Sequence, residues 1–442
     1  MKIDKFGSLF SAKRYKPANR SYFGSNGLYL KNHKFYTVGV TDWGLQLQNG
    51  LYVFDENCDS VLTRSYGDTV FYNLTSEVKP FLKDKSKMIL FGMTDSTCGI
   101  NHPGLYKPLI RVVDTNGVLH QTKIYTNTCF YRSLWDADTT LKKGFVFCGA
   151  EPMNVTSTGV TKNYIIKLDS NLNQQWYNFV DTGNSLYSSI ICLKTGRLLH
   201  AHNHSDFNGS TYLGDRITLT KLDAAGNIIW RKRYGSTESG IGVAKVKECS
   251  NGDYVLCGEK YVNYTASVSQ YMGWIMRTDS MGNAKWWRTY IPTSPIKDTT
   301  TQNELYDIIE LANKDLVCVG WGGSNGFNLV QETWILKVDS NGCLGAGNCP
   351  PNLAIGLSEV KNDFYSFKLY PNPVKDELTV ELGDEDIKAT LTIINTLGEI
   401  IQKSPIVQRI TKVQTSELNE GVYFVAIKTS QGSFTKKVIV KR

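Results

Sequence analysis

The chain has 442 residues, of which 41% are hydrophobic and 20% charged, an ordinary globular composition that suggests about two domains. Its net charge of +8 is thinly spread, the densest cluster being Lys436, Lys437, Lys441 and Arg442, so no nucleic-acid groove is indicated. No apolar stretch approaches the ~20 residues that span a bilayer as a helix. Twelve per cent of residues are aromatic, 24 of them Tyr, and no long amphipathic helical run is visible, all of which favours β structure.

From the first residues onward one phrase recurs. An apolar strand ends in Asp, a short turn follows, and a second strand carries Trp and Tyr. The Asp positions are 4, 55, 114, 169, 223, 279 and 339, separated by 51, 59, 55, 54, 56 and 60 residues, which is the mark of a repeat architecture. Three residues after the Asp stand Gly7, Gly117, Gly226, Gly282 and Gly342, with Cys58 and Leu172 in the other two copies. Asp is expected to cap a hairpin turn and Gly to take its positive φ. Seven residues after the Asp come Trp176, Trp230 and Trp286; eleven after it come Tyr15, Tyr66, Tyr125, Tyr234 and Tyr290, with Val180 the exception. The two offsets differ by four, so Trp and Tyr share one strand face and read as anchors that wedge neighbouring sheets together.

Each interval holds two further strands, clearest in Val243–Cys249, the turn 250–253 and Tyr254–Gly258. One unit is therefore four antiparallel strands in 51–60 residues, the size of a propeller blade. After Asp339 the Trp/Tyr strand is missing, while residues 8–15 supply such a strand without a blade. Residues 8–15 are thus expected to close the last blade of a six-bladed β-propeller spanning 1–346, the alternative being a truncated propeller that has lost a blade upstream, as the short run Met1-Lys-Ile-Asp4 suggests. Residues 347–366, with Pro350 and Pro351, read as a linker.

Residues 367–442 read as a small Ig-like β-sandwich of about seven strands. Leu378, Val380 and Leu382 alternate as in a half-buried strand, residues 391–401 form a hairpin around Asn395–Gly398, and 422–427 read as a strand buried on both faces. Several motifs stand in order here: Tyr370-Pro371-Asn372-Pro373, Asn395-x-x-Gly398, Leu418-x-x-Gly421-Val-Tyr423 and a terminal run with Lys436 and Lys437. Together they resemble the C-terminal sorting domain of proteins exported by the type IX secretion system of Bacteroidetes. The resemblance implies passage through that translocon, removal of the tail by its sortase-like protease, and often attachment to surface lipopolysaccharide. Against that expectation, Met1-Lys-Ile-Asp-Lys lacks the ~7–15-residue apolar core of a signal peptide, so the chain reads as a mature form or a shortened reading frame.

Ten cysteines form no CxxC pair. Cys148, Cys257 and Cys318 sit in apolar runs and read as small buried hydrophobes, whereas Cys343 and Cys349 flank a tight loop and are the disulfide candidate, in keeping with an exported location. His200, His202 and His204 alternate and share one strand face, which makes them metal candidates. Along an extended strand, however, they span ~13–14 Å, too far for all three to meet one ion without a bulge, so a polar sheet face is the favoured reading and no catalytic residue or cofactor is assigned. Residues 55–59 and the pair Asp136 and Asp138 have a calcium-loop flavour without the full EF-hand pattern. Trp43, Tyr261, Tyr264, Tyr271 and Trp321 lie outside the repeat frame and are the better ligand candidates. The resulting expectation is an exported or surface-attached propeller that recognises a glycan or protein. The alternative is a secreted hydrolase or lyase, whose carboxylate pair only folding would bring together.

Overall fold

The computed structural model describes residues 2–3, 9–11, 22–42, 47–67, 73–94, 106–125, 133–152, 161–183, 188–208, 211–235, 240–263, 269–291, 301–324, 330–345, 347–350, 352, 358–359, 368–382, 389–395, 399–406, 408–429 and 432–442. Among them no residue is helical, and no helix is long and apolar enough to cross a membrane. The chain forms two compact units, one of residues 1–226 and 230–358, the other of 227–229 and 359–442.

In the larger unit, successive antiparallel strands assemble in chain order. Sheet I comprises Tyr22–Lys31, Lys34–Asp42, Leu47–Asp55 and Ser60–Tyr66; sheet II, Asn73–Pro80, Lys87–Thr94, Lys107–Asp114 and Leu119–Ile124. Sheet III comprises Ser133–Thr139, Phe145–Pro152, Thr161–Leu168 and Gln174–Gly183; sheet IV, Ser188–Cys192, Leu198–Asn208, Thr211–Leu222 and Ile228–Tyr234. Sheet V comprises Ile241–Glu248, Tyr254–Asn263, Ser269–Thr278 and Ala284–Tyr290. The last group, here sheet VI, has three strands, Thr301–Glu310, Leu316–Ser324 and Val330–Val338, and joins sheet V through the single parallel pair Gln270–Thr301. The first strand of each sheet lies beside the first strand of the next, a propeller-like arrangement.

The repeated phrase acts through its turns. Oδ1 of Asp55, Asp114, Asp169, Asp279 and Asp339 accepts the backbone N–H groups two and four residues on, at 2.8–2.9 Å. The residue at the third position takes positive φ in every described copy, including the two exceptions, Cys58 at 62° and Leu172 at 64°. The Tyr at the end of each sheet then crosses to the turn of the next. Tyr66 donates to the Gly117 carbonyl, Tyr125 to Leu172, Tyr234 to Gly282 and Tyr290 to Gly342, at 2.6–2.9 Å. Where Val180 replaces Tyr, Asn178 Nδ2 two residues earlier donates to the Gly226 carbonyl instead, at 3.1 Å. Trp230 and Trp286 lie over Gly282 and Gly342 so closely that no side chain fits there.

Apolar clusters fill most sheet-to-sheet interfaces. Val38, Leu51, Val78 and Leu90 join sheets I and II; Phe91, Ile110, Phe145 and Phe147 join II and III. Leu219, Val243, Leu256 and Trp274 join IV and V; Cys257, Leu305, Leu316 and Cys318 join V and VI. Cys148, Cys257 and Cys318 are fully buried. Cys343 and Cys349 are joined by a disulfide. Of the expected closing strand, residues 9–11 pair with residues 2–3; the remainder of 8–15 lies outside the described residues, as do Asp4 and Gly7.

The smaller unit has seven strands in two sheets: Lys368–Tyr370, Glu377–Glu381 and Ile410–Gln414 in one, Ile400–Ile406, Ala389–Asn395, Gly421–Thr429 and Gly432–Val440 in the other. Leu378, Val380, Leu391, Ile393, Val425 and Val438 form its core. One expectation is corrected: the strand Gly421–Thr429 is buried on a single face. Tyr423, Val425 and Ile427 point to the core, while Val422 and Phe424 are each 37% exposed, because no second layer covers the outer face among the described residues of this unit.

Candidate binding site at the fifth and sixth sheets

The first strands of sheets II, III, V and VI share a register shift just before Glu77, Asp136, Lys245 and Asp307. A bulge re-aims the side chain that follows it, and here it brings charged groups together where the first strands converge. Lys245 Nζ lies 2.8 Å from Asp136 Oδ1 and 3.2 Å from Glu77 Oε2, with all three side chains at most 5% exposed. Burial alone would raise the Asp136 pKa, but Lys245 and Lys79 outweigh it and hold the carboxyl ionised. In sheet IV, where the first strand has no bulge, Ser189 completes the network by donating to Asp136 Oδ2 at 2.6 Å. This plug closes one side of a cavity of about 230 Å³, whose lining includes Lys79, Asp138, Lys247 and Glu248. Asp136 and Asp138, the calcium candidates of sheet III, are thus engaged, Asp138 Oδ2 accepting the Cys192 N–H at 2.9 Å. Asp55 is engaged in its turn.

The arrangement richest in ligand-type groups lies between sheets V and VI. Glu259 leaves the second strand of sheet V and Glu304 the first strand of sheet VI, and the two carboxyls lie within interaction range of each other. Burial, then the charge and hydrogen bond of Glu304, push the Glu259 pKa up to about 8. Near neutrality the Glu259 carboxyl therefore keeps its proton beside Glu304, the behaviour expected of an acid that is buried next to a like charge. Tyr306 donates to Glu304 Oε2 at 2.5 Å, and Trp321 Nε1 lies 2.6 Å from the Tyr306 hydroxyl and 3.3 Å from Glu304 Oε2. Tyr261 and Tyr271 face each other across their strand pair with ring centroids 4.9 Å apart, and the charges of Glu259 and Glu304 help raise the Tyr271 pKa, after burial. Tyr261, Tyr271, Tyr306 and Trp321 are all partly exposed.

Three of the sequence-level ligand candidates, Tyr261, Tyr271 and Trp321, are therefore brought to one place; Trp43 and Tyr264 lie outside the described residues. The sequence did not single out Glu259, Glu304 or Tyr306. Tyr306 is the extra residue of a bulge between Leu305 and Asp307, with Glu304 two residues before it, a distortion that no sequence pattern marked.

The three histidines do not act as one set. His200 and His202 are wholly buried and stack at 4.9 Å, while His202 and His204 gather with Asp181 of sheet III, a residue the sequence gave no reason to place there. Burial lowers all three histidine pKa values, that of His204 to about 4, so the imidazoles are neutral near pH 7.

In the smaller unit the Pro371-Asn372-Pro373 motif is a clasp. Asn372 Oδ1 accepts the Ile439 N–H at 2.9 Å and its Nδ2 donates to the Lys437 carbonyl at 3.0 Å, tying the motif to the final strand. Gly421 begins the strand that carries Tyr423, whose hydroxyl donates to the Asn419 carbonyl at 3.1 Å. Lys436 and Lys437 are exposed, and Gly398 lies outside the described residues.

Residues 368–441 match the family model of the secretion system C-terminal sorting domain. A tail of this family marks a protein that is secreted or held at the cell surface and that engages the type IX secretion machinery. No curated protein matches the chain. Among solved structures, similarity extends to PorZ, described as an essential bacterial surface component of the type IX secretion system of Porphyromonas gingivalis, at 11% identity over 95% of this chain and 75% of that one, with a TM-score of 0.22. It extends also to an alpha-L-arabinanase of Penicillium chrysogenum complexed with arabinobiose, at 10% identity over 72% and 94% with a TM-score of 0.45. Polysaccharide lyase Uly1 matches at 10% identity over 93% of both chains with a TM-score of 0.40. Similarities of this size carry no information on substrate or activity.

Proposed function

We propose that this protein is an exported surface recognition module that binds carbohydrate between sheets V and VI. The observation that carries the reading is the Glu259–Glu304 pair set among Tyr261, Tyr271, Tyr306 and Trp321. A sugar ring presents C–H faces that stack on aromatic rings and hydroxyls that need both donors and acceptors. A carboxyl that keeps its proton, set beside a second carboxyl, offers both. The larger unit is read as a six-bladed propeller closed by residues 8–15, and the tail as an address removed by the sortase-like protease, with attachment to lipopolysaccharide as the surface-bound form.

The proton kept on Glu259 also suits acid–base chemistry, which makes a hydrolase the second reading. Glycosidase carboxylates stand ~5–5.5 Å apart when retaining and ~6.5–9.5 Å apart when inverting, to leave room for sugar or water. The direct influence of Glu304 on the Glu259 carboxyl points to closer placement than either spacing, which favours recognition over turnover.

The test is a glycan array probed with the full chain, followed by titration calorimetry of each hit and mass spectrometry of the recovered ligand. Intact ligand, with affinity reduced at least about tenfold in Tyr261→Ala and in Trp321→Ala, is the expected result. Cleaved ligand would establish the hydrolase reading instead. Absence of any hit, or hits indifferent to both substitutions, would overturn the site.

A further inference from the structure

Sheets III and IV are packed differently from the other neighbours. Where those interfaces are filled by aliphatic and aromatic side chains, this one buries Asn163, Asp181, His200, His202, Thr218 and Arg231. Several of these polar atoms have no partner within the described residues: both ring nitrogens of His200, Nδ1 of His202, the Thr218 hydroxyl, and both carboxamide atoms of Asn163. Asn163 sits directly opposite Asp181 in the strand pair, so the two side chains emerge on the same face. Leaving a buried polar group unsatisfied costs ~1–3 kcal/mol, and a cluster of them is a strong sign of a guest beyond the chain's own atoms.

Beside this polar cluster three metal-type ligand atoms converge. His202 Nε2 lies 3.1 Å and His204 Nδ1 3.5 Å from Asp181 Oδ2, and one such atom from each of the three residues can be chosen with all separations within 4.8 Å. Ligands ~2.0–2.2 Å from a tetrahedral zinc ion are ~3.3–3.5 Å from one another, so the two separations from Asp181 Oδ2 need little adjustment. Two imidazoles and a carboxylate form a recurrent three-ligand set that leaves a fourth position open. We propose that Asp181, His202 and His204 bind a divalent transition-metal ion of the zinc type at the junction of sheets III and IV, with a fourth position left for another ligand.

Arg233 opposes this ion. Its Nη2 lies 3.1 Å from Asp181 Oδ2 and 3.3 Å from His204 Nδ1, on two of the ligand atoms, and Arg231 Nη1 is 3.8 Å from Asp181 Oδ1. The metal must displace Arg233, whose side chain is 13% exposed and nearer solvent than Arg231 at 4%. The site is accordingly weaker than one without such a competitor, and Arg233 sets its strength. The reading is independent of the carbohydrate site, which lies between other sheets.

Zinc itself is the probe, titrated calorimetrically into the full chain after chelator treatment, with cobalt absorption as the report on ligand type. One equivalent is expected to bind, with nitrogen–oxygen cobalt bands and no thiolate charge-transfer band. Asp181→Asn and His204→Gln are expected to lose at least about tenfold in affinity, and Arg233→Gln to gain about tenfold. The gain separates the proposal from misfolding, since a damaged protein does not bind more tightly. A thiolate band, affinity unchanged in His204→Gln, or weaker binding in Arg233→Gln would overturn it.

Discussion

Replacing Lys245 by Met is the most severe single test of how the larger unit is held together. The substitution keeps length and removes charge. It leaves Glu77 and Asp136, whose side chains are 2% and 3% exposed, without the cation that sits 3.2 Å and 2.8 Å away. Orphaning one side of a buried ion pair costs ~3–5 kcal/mol. Lys79 stands 3.6 Å from Glu77 and remains, so the lower part of that range applies, about 3 kcal/mol. At roughly 2 °C per kcal/mol for a large domain this is a fall of about 6 °C in Tm. The sign of the pH dependence also follows. The Asp136 pKa is lowered in the fold, so its contribution is present above its unfolded value near ~3.9 and lost as pH falls below it. The Lys245 pKa is raised, so its contribution is full below its unfolded value near ~10.4 and lost only as pH rises beyond that. The network therefore contributes evenly between about pH 5 and 9 in the parent. In Lys245→Met the deficit shrinks toward low pH as the orphaned carboxylates take up protons. Urea unfolding at pH 5 and pH 8 reads this directly, and the triple variant Lys245→Met, Glu77→Gln, Asp136→Asn should recover most of the loss. A single variant as stable as the parent, or a triple variant no better than the single, would refute the claim that paired charge holds these strands together.

Two further predictions rest on the latches and the carboxyl pair. Tyr234→Phe removes the 2.6 Å bond to the Gly282 carbonyl and should cost about 1 kcal/mol, read as a shift in the urea midpoint; an unchanged midpoint would mean that packing alone joins these sheets. Because the Glu259 pKa is raised from 4.5 to about 8, the folded state binds more protons than the unfolded state in that interval, so stability falls as pH rises from about 4.5 to about 8. Glu259→Gln should flatten that slope and be more stable than the parent above pH 8 by a few kcal/mol at most; parallel profiles for the two proteins would contradict the raised Glu259 pKa.

Much of the architecture could be read from the chain because it depends on local rules repeated many times. The spacing of Asp residues located the turns, since an Asp side chain reaches only the amides a few residues on, and a position that needs positive φ selects Gly. Even Cys58 and Leu172, which break the Gly pattern, occupy that conformation, so the Asp frame proved the stronger signal. The offset of four between Trp and Tyr identified a common face. The tail was legible for the same reason, its motifs being short and in fixed order. The strand 421–429 was misjudged because apolar residues on both faces imply two covering layers only if a second layer exists.

The sequence by itself thus determined the β class, the repeat length, the turn chemistry and the sorting tail. Only the tertiary structure decided which turn each Tyr latches, which charges meet Lys245, and which carboxyl joins His202. Those partners lie 168 residues apart for Lys245 and Glu77, 45 for Glu259 and Glu304, and 21 for Asp181 and His202. The physical reason is that a local pattern fixes where a side chain points, whereas its partner is set by how whole sheets stack, and one sequence carries no direct record of that.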